Sequence, residues 1–301
     1  MKSVFEAVAD GVYYLRVPYG EQEAGITLIK GNDRKATVLI DTGSQADTVR
    51  EYLIPALRAM DMSLRDIGSV TVTHTHTDNI VGLHRLKKEA PDIRIIVPQG
   101  CADRVQNPMY YIMAEREVFP EHNPPFEEVF GVLVDGDVEP YGLYAGLRMI
   151  PASGHDEDCV CWLHEASGTL IVGDVLQGNG NAMQGAPYYK NISSYLATLT
   201  ELEGMADKVK HLISSHTMDG LKAVEHGSEK LTDVIRRCRE CVTDMGNLVQ
   251  DQLDMGVTDI ATVAANISMK NFDRMPPALC YAMYSVSAHI KEGVLREVDT
   301  L

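Results

Sequence analysis

The chain has 301 residues, of which 45% are hydrophobic, and its formal net charge is −16. A chain of this length can bury one large core and a smaller module, and it contains no apolar run long enough to cross a bilayer. Binding to nucleic-acid phosphates depends on clusters of Lys and Arg. With 43 acidic against 27 basic residues, the composition argues against nucleic-acid and membrane partners and favours a small-molecule substrate.

Cysteine usage and the first ten residues bear on the compartment. Six cysteines in a chain of this length are too few for a disulfide scaffold and are typical of a reducing environment. Residues 1–10 carry acidic side chains inside their only apolar stretch, so a secretory signal is not expected. We therefore predict a cytoplasmic protein.

In chain order, the first part of the sequence alternates strand-like and helix-like segments. Apolar and β-branched runs predict strands, and apolar residues at helical spacing predict helices. The predicted strands lie at residues 12–17, 25–30, 36–40, 67–72 and 93–97. The predicted helices lie at residues 45–60 and 79–90. The second part repeats this style, with strands predicted at 132–134, 147–151, 159–164, 170–172 and 209–214 and a helix at 192–205.

Residues 106–130 interrupt this pattern, since they are rich in Pro, aromatic residues and Met and have no clean periodicity. A long irregular segment in a compact domain is a functional loop or a mobile connection. We interpret it as a substrate-facing lid rather than a plain surface loop, with Tyr110 and Tyr111 as candidate substrate contacts. Tyr188 and Tyr189, which follow a Gly-rich polar segment, are candidates for a second wall, with packing in the core as the alternative.

After residue 216 the pattern becomes helical. Apolar residues recur at helical spacing from Leu231 to Leu253, which predicts an amphipathic helix of about seven turns. Further helices are predicted at 259–266 and 277–292, followed by a Gly turn and a short strand at 294–298.

One short stretch carries the densest chemistry: His74, His76 and Asp78 lie within five positions, directly after the strand predicted at 67–72. Imidazole nitrogens and carboxylate oxygens are the ligands that zinc prefers, and His-x-His in an extended backbone places both rings on one side. The stretch therefore predicts half of a metal site. Taken alone, the motif is also compatible with a solvated strand end.

Further candidate residues each end a strand-like segment, at His155, Asp174 and His216. Strand ends are where an α/β sheet presents side chains to a ligand, so these three complete a ring of metal ligands. Asp41 ends the strand at 36–40 and begins an Asp-Thr-Gly turn. We interpret Asp41 as a residue that hydrogen-bonds and orients the site, with a turn residue or helix cap as the alternative.

This ordered set resembles the signature of the metallo-β-lactamase-fold hydrolases, which is an Asp-Thr-Gly turn, His-x-His-x-Asp-His, a Gly-His, a Gly-Asp and a final His. The resemblance covers about residues 10–220. It implies an α/β fold, namely an αββα sandwich with the metals in the cleft between two halves. The C-terminal helices resemble, more weakly, the winged-helix-like cap of glyoxalase II-like and other lactamase-like hydrolases. The expected division is a catalytic domain at 1–220 and a helical cap at 221–301.

The resemblance also implies a role for each ligand. A first metal would be held by His74, His76 and His155. A second metal would be held by Asp78 and His216, with Asp174 bridging the two. Asn79 stands where the family usually has a histidine of the second site, and an amide oxygen is a weaker ligand than imidazole. One or two Zn²⁺ ions are expected, with Fe or Mn as alternatives.

The chemistry expected from such a site is hydrolysis. A bound divalent ion lowers the pKa of water from about 16 toward 7, so that hydroxide is available at neutral pH. Asp78 would orient that hydroxide and pass its proton to the leaving group, and His216 would stabilise charge on the substrate if the second metal is absent. The leading hypothesis is a small activated acyl substrate, either a thioester or a lactone.

Other functions stay open on the sequence. A mono-iron oxidoreductase of the sulfur dioxygenase type would need only His74, His155 and Asp174, a set that suits non-haem iron. A phosphodiesterase or ribonuclease is a minor alternative, because relatives with a helical cap cut RNA. The apolar C-terminal helices and the 14 methionines of the chain also suggest a homodimer, although burial within one monomer explains them equally well.

Overall fold

Two β-sheets pack face to face and carry helices on their outer sides. The computed structural model describes residues 4–143, 146–218 and 220–292. The first sheet has seven strands, which neighbour one another in chain order: β1 (Glu6–Ala9), β2 (Val12–Tyr19), β3 (Gln22–Ile29), β4 (Val38–Ile40), β5 (Ser69–Thr71), β6 (Arg94–Pro98) and β7 (Gly136–Val138). The second sheet has five, also in chain order: β8 (Leu147–Pro151), β9 (Val160–His164), β10 (Thr169–Gly173), β11 (His211–Ser214) and β12 (Val224–His226).

Strand direction changes within each sheet. Strands β1 to β4 form an antiparallel meander, whereas β4 to β7 run parallel. In the second sheet β10 and β11 are parallel and the other pairs are antiparallel. Parallel neighbours present their carboxyl ends at the same edge of a sheet, which is where ligands bind in open α/β folds.

Helices join the parallel strands and cover the outer faces of both sheets. Their bounds are α1 (Ile54–Ala59, preceded by a π-helical turn at Val49–Leu53), α2 (Thr77–Ile80), α3 (Gly82–Glu89), α4 (Gln99–Gln106), α5 (Pro108–Arg116), α6 (Ile192–Glu203), α7 (Ser228–Asp254), α8 (Ile260–Phe272) and α9 (Leu279–Glu292). Within the described ranges no helix is both long and apolar enough to span a membrane.

The buried apolar residues fall into layers that follow from this arrangement. One cluster lies between the sheets and includes Trp162, Ile40 and Ile213. A second cluster packs the first sheet against α1, α3 and α4, and a third packs the second sheet against α6 and α7. The predicted α/β class and αββα sandwich are therefore confirmed.

The C-terminal helices contribute to one of these layers and form a further cluster of their own. Cys238 and Val242 of α7 share the cluster of Leu170 and Leu212 from the second sheet, whereas α8 and α9 pack with the end of α7 in a separate cluster. The division at residue 220 stays a prediction. The short strand predicted at 294–298, which suggested a winged-helix-like cap, lies outside the described residues.

Two predictions of local structure were wrong. The segment at 106–130 is not irregular throughout, because α5 occupies its first part. Tyr110 and Met113 are exposed apolar residues of α5, so the sequence lacks the amphipathic contrast that would have indicated this helix. The strand predicted at 132–134 is also absent: Val132 packs in the core of the first sheet, and the strand β7 begins four residues later and pairs with β6.

The buried His289 of α9 makes stability depend on pH. Its Nε2 is 2.8 Å from the Tyr189 hydroxyl, its Nδ1 has no hydrogen-bond partner among the described residues, and burial lowers its pKa to about 4. As pH falls below the ordinary value of about 6.5, the unfolded chain takes up the proton before the folded one. We expect this residue alone to lower the free energy of unfolding by about 2 kcal/mol between pH 7 and pH 5.

Urea denaturation at both pH values measures this contribution. His289→Gln should show a smaller loss than the wild type, because the titrating group is gone. The comparison uses the difference between the two pH values, so an overall destabilisation of the variant does not affect it. An equal loss in both proteins would contradict the prediction.

Candidate metal centre

The predicted ligands meet at one edge of the sandwich. His74 and His76 lie in the loop that follows β5, and Asp78 is the second residue of the short helix α2. The second sheet contributes the loops after its own strands, which carry His155 after β8, Asp174 after β10 and His216 after β11. The structure thus brings together the side chains that the sequence placed at separate strand ends.

Contacts between the sheets hold these loops in register. The Trp162 indole of β9 donates to the Val72 carbonyl (3.0 Å), and the Val160 backbone N–H donates to the Thr73 carbonyl (2.8 Å). Gly173 has a positive φ of 55°, and a Cβ there would lie 2.5 Å from the Thr73 hydroxyl. Only glycine allows this approach, which sets Asp174 beside the His-x-His loop.

Three imidazole nitrogens point at one position. His76 Nδ1 lies 3.1 Å from His74 Nε2 and 3.2 Å from His155 Nε2. Asp174 Oδ2 lies 3.7 Å from His74 Nε2 and 3.8 Å from His155 Nε2. Together, the ligand atoms of these four residues lie within 4.8 Å of one another.

The outer nitrogens of two of these rings have acceptors, which fixes their protons. His155 Nδ1 lies 2.8 Å from the Tyr188 carbonyl oxygen, which can only accept. His76 Nε2 lies 3.0 Å from Asp156 Oδ2, and the Lys190 ammonium bonds the same carboxylate oxygen at 2.6 Å, which keeps Asp156 ionised and accepting. In the neutral form of either ring, the other nitrogen, which faces the shared position, therefore carries a lone pair instead of a proton.

The third ring is fixed through two further residues. The Thr73 hydroxyl donates to Asp41 Oδ2 (2.9 Å), and the Thr73 backbone N–H donates to Asp41 Oδ1 (2.8 Å). With Asp41 ionised, the one hydroxyl proton of Thr73 is used in this bond, and Thr73 accepts from His74 Nδ1, 3.1 Å away. In neutral His74 the proton is then on Nδ1, and Nε2 carries a lone pair. Asp41, whose pKa burial raises to about 8 despite these bonds from Thr73, anchors the loop that carries both motif histidines.

In their neutral forms the three rings turn lone pairs toward one another, and these lone pairs cannot hydrogen-bond one another. Burial, together with the neighbouring His76, lowers the pKa of His155 to about 3 and lowers that of His74 as well, so both rings are neutral at pH 7. Burial also disfavours the charged form of His76, but its bond to Asp156 outweighs this effect and raises the pKa of His76. The Asp174 Oδ1 atom is buried and has no hydrogen-bond partner among the described residues. Imidazole nitrogens that face one another and a carboxylate with one unpartnered oxygen fit a divalent metal ion.

A second group of ligands adjoins the first and shares Asp174. His216 Nε2 lies 2.6 Å from Asp78 Oδ2 and 3.4 Å from Asp174 Oδ2, while its Nδ1 donates to the Glu23 carbonyl at 2.7 Å. Burial disfavours the charged carboxylates, but His216 outweighs it and lowers the pKa of Asp78 and of Asp174. The two carboxylates are therefore ionised at neutral pH. This second group could hold a second cation.

Asn79 lies beside the first group of ligands. It is fully buried, its amide nitrogen is 3.3 Å from His74 Nε2, and its amide oxygen accepts from the Ser215 hydroxyl at 3.3 Å. The side chain that stands where the family usually has a histidine thus directs an amide nitrogen at His74.

A cavity of about 480 Å³ opens onto the ligands and is largely walled by apolar and aromatic side chains. Of the four tyrosines predicted to contact substrate, Tyr111 and Tyr188 line this cavity, and the Tyr188 ring stacks on His76 with a centroid distance of 5.6 Å. The other two do not line it. Tyr110 is 72% exposed, and Tyr189 is buried with its hydroxyl bonded to His289.

Three tyrosines of the wall were missed by the sequence analysis. Tyr19 of β2 stacks on His216 at 5.4 Å, and Tyr281 of α9 lies 4.8 Å from the Tyr188 ring. Tyr19, Tyr281 and Tyr284 all line the cavity. No local pattern distinguishes these tyrosines from ordinary core aromatics, because their role arises only when β2 and α9 meet over the site.

A charged network behind His76 was also missed. Asp156, which accepts from His76, is bonded to Lys190, and Lys190 Nζ also bonds Glu115 of α5 at 2.6 Å. Arg104 lies 3.5 Å from Glu115 and 3.7 Å from Asp156. The buried carboxylate is thus paired with cations on two sides, which links α5 to a metal ligand. The Gly-His-Asp sequence at 154–156 was the one available sign of it.

Comparison with known proteins agrees with the fold. The model of the metallo-β-lactamase superfamily matches residues 25–216. The chain is 24% identical over 229 residues to the acyl-coenzyme A thioesterase MBLAC2 of Bos taurus, which covers 70% of this chain and 80% of that protein. It is 26% identical over 216 residues to the atrochrysone carboxyl ACP thioesterase nsrC of Aspergillus novofumigatus, covering 72% of this chain and 56% of the fungal protein.

Solved structures show the same architecture at low sequence identity. A metallo-β-lactamase family protein from Thermus thermophilus superposes with a TM-score of 0.71 at 16% identity, covering 95% of each chain. The sec-alkylsulfatase Pisa1 from Pseudomonas sp. gives a TM-score of 0.62 at 14% identity, covering 99% of this chain and 51% of that one. These likenesses concern the fold.

The matched family model extends over more than half of the chain and includes every predicted ligand. The protein therefore belongs to the metallo-β-lactamase superfamily. The prediction that it is a hydrolase of this fold is confirmed by that match together with relatives that are named thioesterases.

Metal binding should raise stability through Asp174, the ligand shared by both groups. In the wild type, zinc at a hundredfold excess over its dissociation constant should add about 2.7 kcal/mol to the free energy of unfolding. Asp174→Asn should lose most of this gain, because it removes the shared charge. Calorimetry of metal-free protein with and without zinc measures the effect, and the exposed Asp207→Asn serves as the control. An unchanged gain in Asp174→Asn would contradict the assignment.

Asn79→His should strengthen binding of a second metal ion. An imidazole is a stronger metal ligand than an amide, and position 79 directly follows the candidate ligand Asp78 in the chain. We expect the affinity for the second equivalent of metal to rise at least about tenfold, which is the scale on which a single partner of a metal site changes its affinity. Chelator competition followed by elemental analysis measures it. If the first equivalent weakens and the second does not change, the imidazole has disturbed His74 and the predicted role of position 79 is wrong.

Proposed function

We propose that the protein hydrolyses the acyl thioester bond of a small-molecule substrate, with zinc as its metal. The observation that carries the proposal is the convergence of neutral imidazoles and ionised carboxylates on the floor of a cavity with apolar and aromatic walls. The named relatives support the thioester, since both act on acyl thioesters of coenzyme A or a carrier protein according to their names. A lactone, the other activated acyl substrate expected from the sequence, stays a prediction.

Two residues of the chain have distinct roles in the proposed reaction. When bound, a divalent ion lowers the pKa of water and polarises the substrate carbonyl. Asp78 lines the cavity, is ionised, and is placed to orient the attacking water and take its proton. His216, 2.6 Å away, holds the Asp78 carboxylate in that orientation. The departing thiolate is the conjugate base of a thiol with a pKa near 8.5, so a strong general acid is unnecessary.

The aromatic wall favours an apolar acyl group. The Tyr188 ring stacks on His76, and the Tyr281 ring lies tilted against the Tyr188 ring. Phe126, Val129 and Ile112 continue this surface. Burial of an apolar chain here supplies binding energy away from the reacting carbonyl, which helps to orient it.

The competing functions receive less support. Among the described residues, Arg104 and Arg116 are the only Lys or Arg side chains that line the cavity, and Arg104 is paired with carboxylates while Arg116 donates to the Pro124 carbonyl at 2.8 Å. Nucleic-acid phosphates would find few free cations there. For the iron oxidoreductase, His76 would be idle, although its Nδ1 points at the same position as the other two histidines.

The proposal extends to partners and location. We infer a cytoplasmic enzyme that acts on a small molecule without nucleic-acid or membrane partners. Exposed apolar residues of the C-terminal helices, Met255, Met269 and Ile290, support a homodimer. Light scattering of the purified protein decides the oligomeric state.

Hydrolysis assays with Asp78→Asn test the proposed function. The zinc-loaded wild type should release free thiol from a medium-chain acyl thioester, whereas Asp78→Asn should lower kcat about 10²- to 10⁴-fold, the usual contribution of a positioned base. Asp207→Asn is the matched control. Metal content is measured for each protein, because loss of metal would also lower kcat. A wild type that takes up oxygen with one bound iron and releases no thiol would overturn the proposal in favour of the oxidoreductase.

A further inference from the structure

Gln184 lies in the wall of the substrate cavity with its amide unpaired. The residue lines the cavity and is only 7% exposed. Its Oε1 atom is buried and has no hydrogen-bond partner within the described part of the chain. A buried polar atom without a partner is costly, and native structures rarely keep one that no ligand or water satisfies. The place of the residue in the cavity wall therefore points to a ligand group that completes this hydrogen bond when it enters the cavity.

The backbone around Gln184 is held rigidly. Its N–H donates to Asn181, at 3.1 Å from both the carbonyl and the side-chain oxygen. Gly185 has a φ of 78° and packs so closely on α8 that a Cβ would lie 2.3 Å from the Ser268 hydroxyl. The Ala278 N–H donates to the Met183 carbonyl at 3.2 Å. The loop therefore offers the amide in a fixed position, as a recognition group requires.

Other amides of the same loop are used within the protein. The Gln177 amide donates to the Asp174 carbonyl (2.6 Å) and accepts from the Tyr188 N–H (3.2 Å). The Asn181 oxygen accepts from two backbone N–H groups. Gln184 differs from both, since no described residue pairs with either atom of its amide. The loop thus holds the backbone of Asp174 and Tyr188 through Gln177, whereas the amide of Gln184 stays unpaired in the cavity wall.

We propose that Gln184 is a specificity-determining residue that hydrogen-bonds a secondary amide of the substrate, an inference that rests on the proposed thioesterase function. A secondary amide carries an N–H donor and a carbonyl acceptor, so it matches both atoms of the Gln184 side chain. An ammonium group would match the oxygen alone. A carboxylate lacks a donor, and it would meet the ionised Asp78 and Asp174 of the same cavity.

The substrate amide has two chemical sources. It lies on the thiol side when the thiol is an acylated aminoethanethiol, as in pantetheine-type arms. It lies on the acyl side when the acyl group is an N-acylamino acid. The recognition chemistry is the same in both cases, and paired substrates separate them.

The experiment compares thioesters that differ only in the amide. For the thiol side, hexanoyl-N-acetylcysteamine is paired with S-pentyl hexanethioate. For the acyl side, the S-propyl thioester of N-acetylglycine is paired with S-propyl pentanethioate. The zinc-loaded wild type should prefer the amide-bearing member of one pair by about tenfold to hundredfold in kcat/KM, the effect of leaving a buried polar group unpaired. The pair that shows the preference identifies the side.

Gln184→Met keeps the size of the side chain and removes both hydrogen-bonding atoms, so it should reduce the preference to within about twofold. Gln184→Ala is a second variant in case the first folds poorly. Gln45→Met is the matched control, because Gln45 also lines the cavity but has no buried unpaired atom, and it should keep the preference. A Gln184 variant that retains the wild-type preference, or a wild type that prefers neither amide, would overturn the inference.

Equilibrium binding separates this inference from the proposed function. Non-hydrolysable thioethers that correspond to the four substrates are titrated calorimetrically into zinc-loaded protein. Selective binding of an amide-bearing thioether that is lost in Gln184→Met supports the role of Gln184, even if no thioester is hydrolysed and the proposed function fails. Equal binding of the paired thioethers to the wild type contradicts it, whatever the hydrolysis assays show.

Discussion

Three imidazole nitrogens that converge on one position, with His76 Nδ1 lying 3.1 to 3.2 Å from the other two, are the constraint on which the rest of the structure depends. Their lone pairs repel one another unless a cation or a proton lies between them, so the fold must hold each ring from behind. It does so with acceptors from separate segments: Thr73 for His74, Asp156 for His76, and the Tyr188 carbonyl for His155. The energy of close packing elsewhere holds this unfavourable group ready for the metal.

The contacts that hold the rings explain several buried polar groups of the core. Asp41 is buried between the strands and accepts both Thr73 donors, and Trp162 uses its single N–H to bind the backbone just before the same loop. These three bonds join the His-x-His loop to residues of both sheets. Such polar groups are tolerated in a core only when they are satisfied, and here the satisfied groups also set the positions of the metal ligands.

The sequence could predict the ligands because each lies at the end of a strand, where local pattern and residue type coincide. His74, His76 and Asp174 needed no knowledge of distant contacts. The cavity wall could not be predicted in this way. Tyr19 and Tyr281 are 262 residues apart in the numbering and become neighbours only through packing, while α5 was hidden because it turns the apolar Tyr110 and Met113 outward. Tyr189 was predicted to line the cavity together with the adjacent Tyr188, but the loop places its side chain in the core.

Tyr188 contributes both to the candidate metal centre and to the wall of the cavity. Its backbone carbonyl fixes the proton of His155, its ring stacks on His76, and the same ring lines the cavity beside Tyr281. A substrate that moves this ring therefore acts on the surroundings of two metal ligands. The metal centre is built from strand ends that the family shares, whereas the residues around Tyr188 come from the loop at 177–190 and from α9. In the proposed function, selectivity for the substrate and orientation of the candidate ligands thus depend on the same residue, and a change of substrate must keep the Tyr188 backbone in place while the wall around it changes.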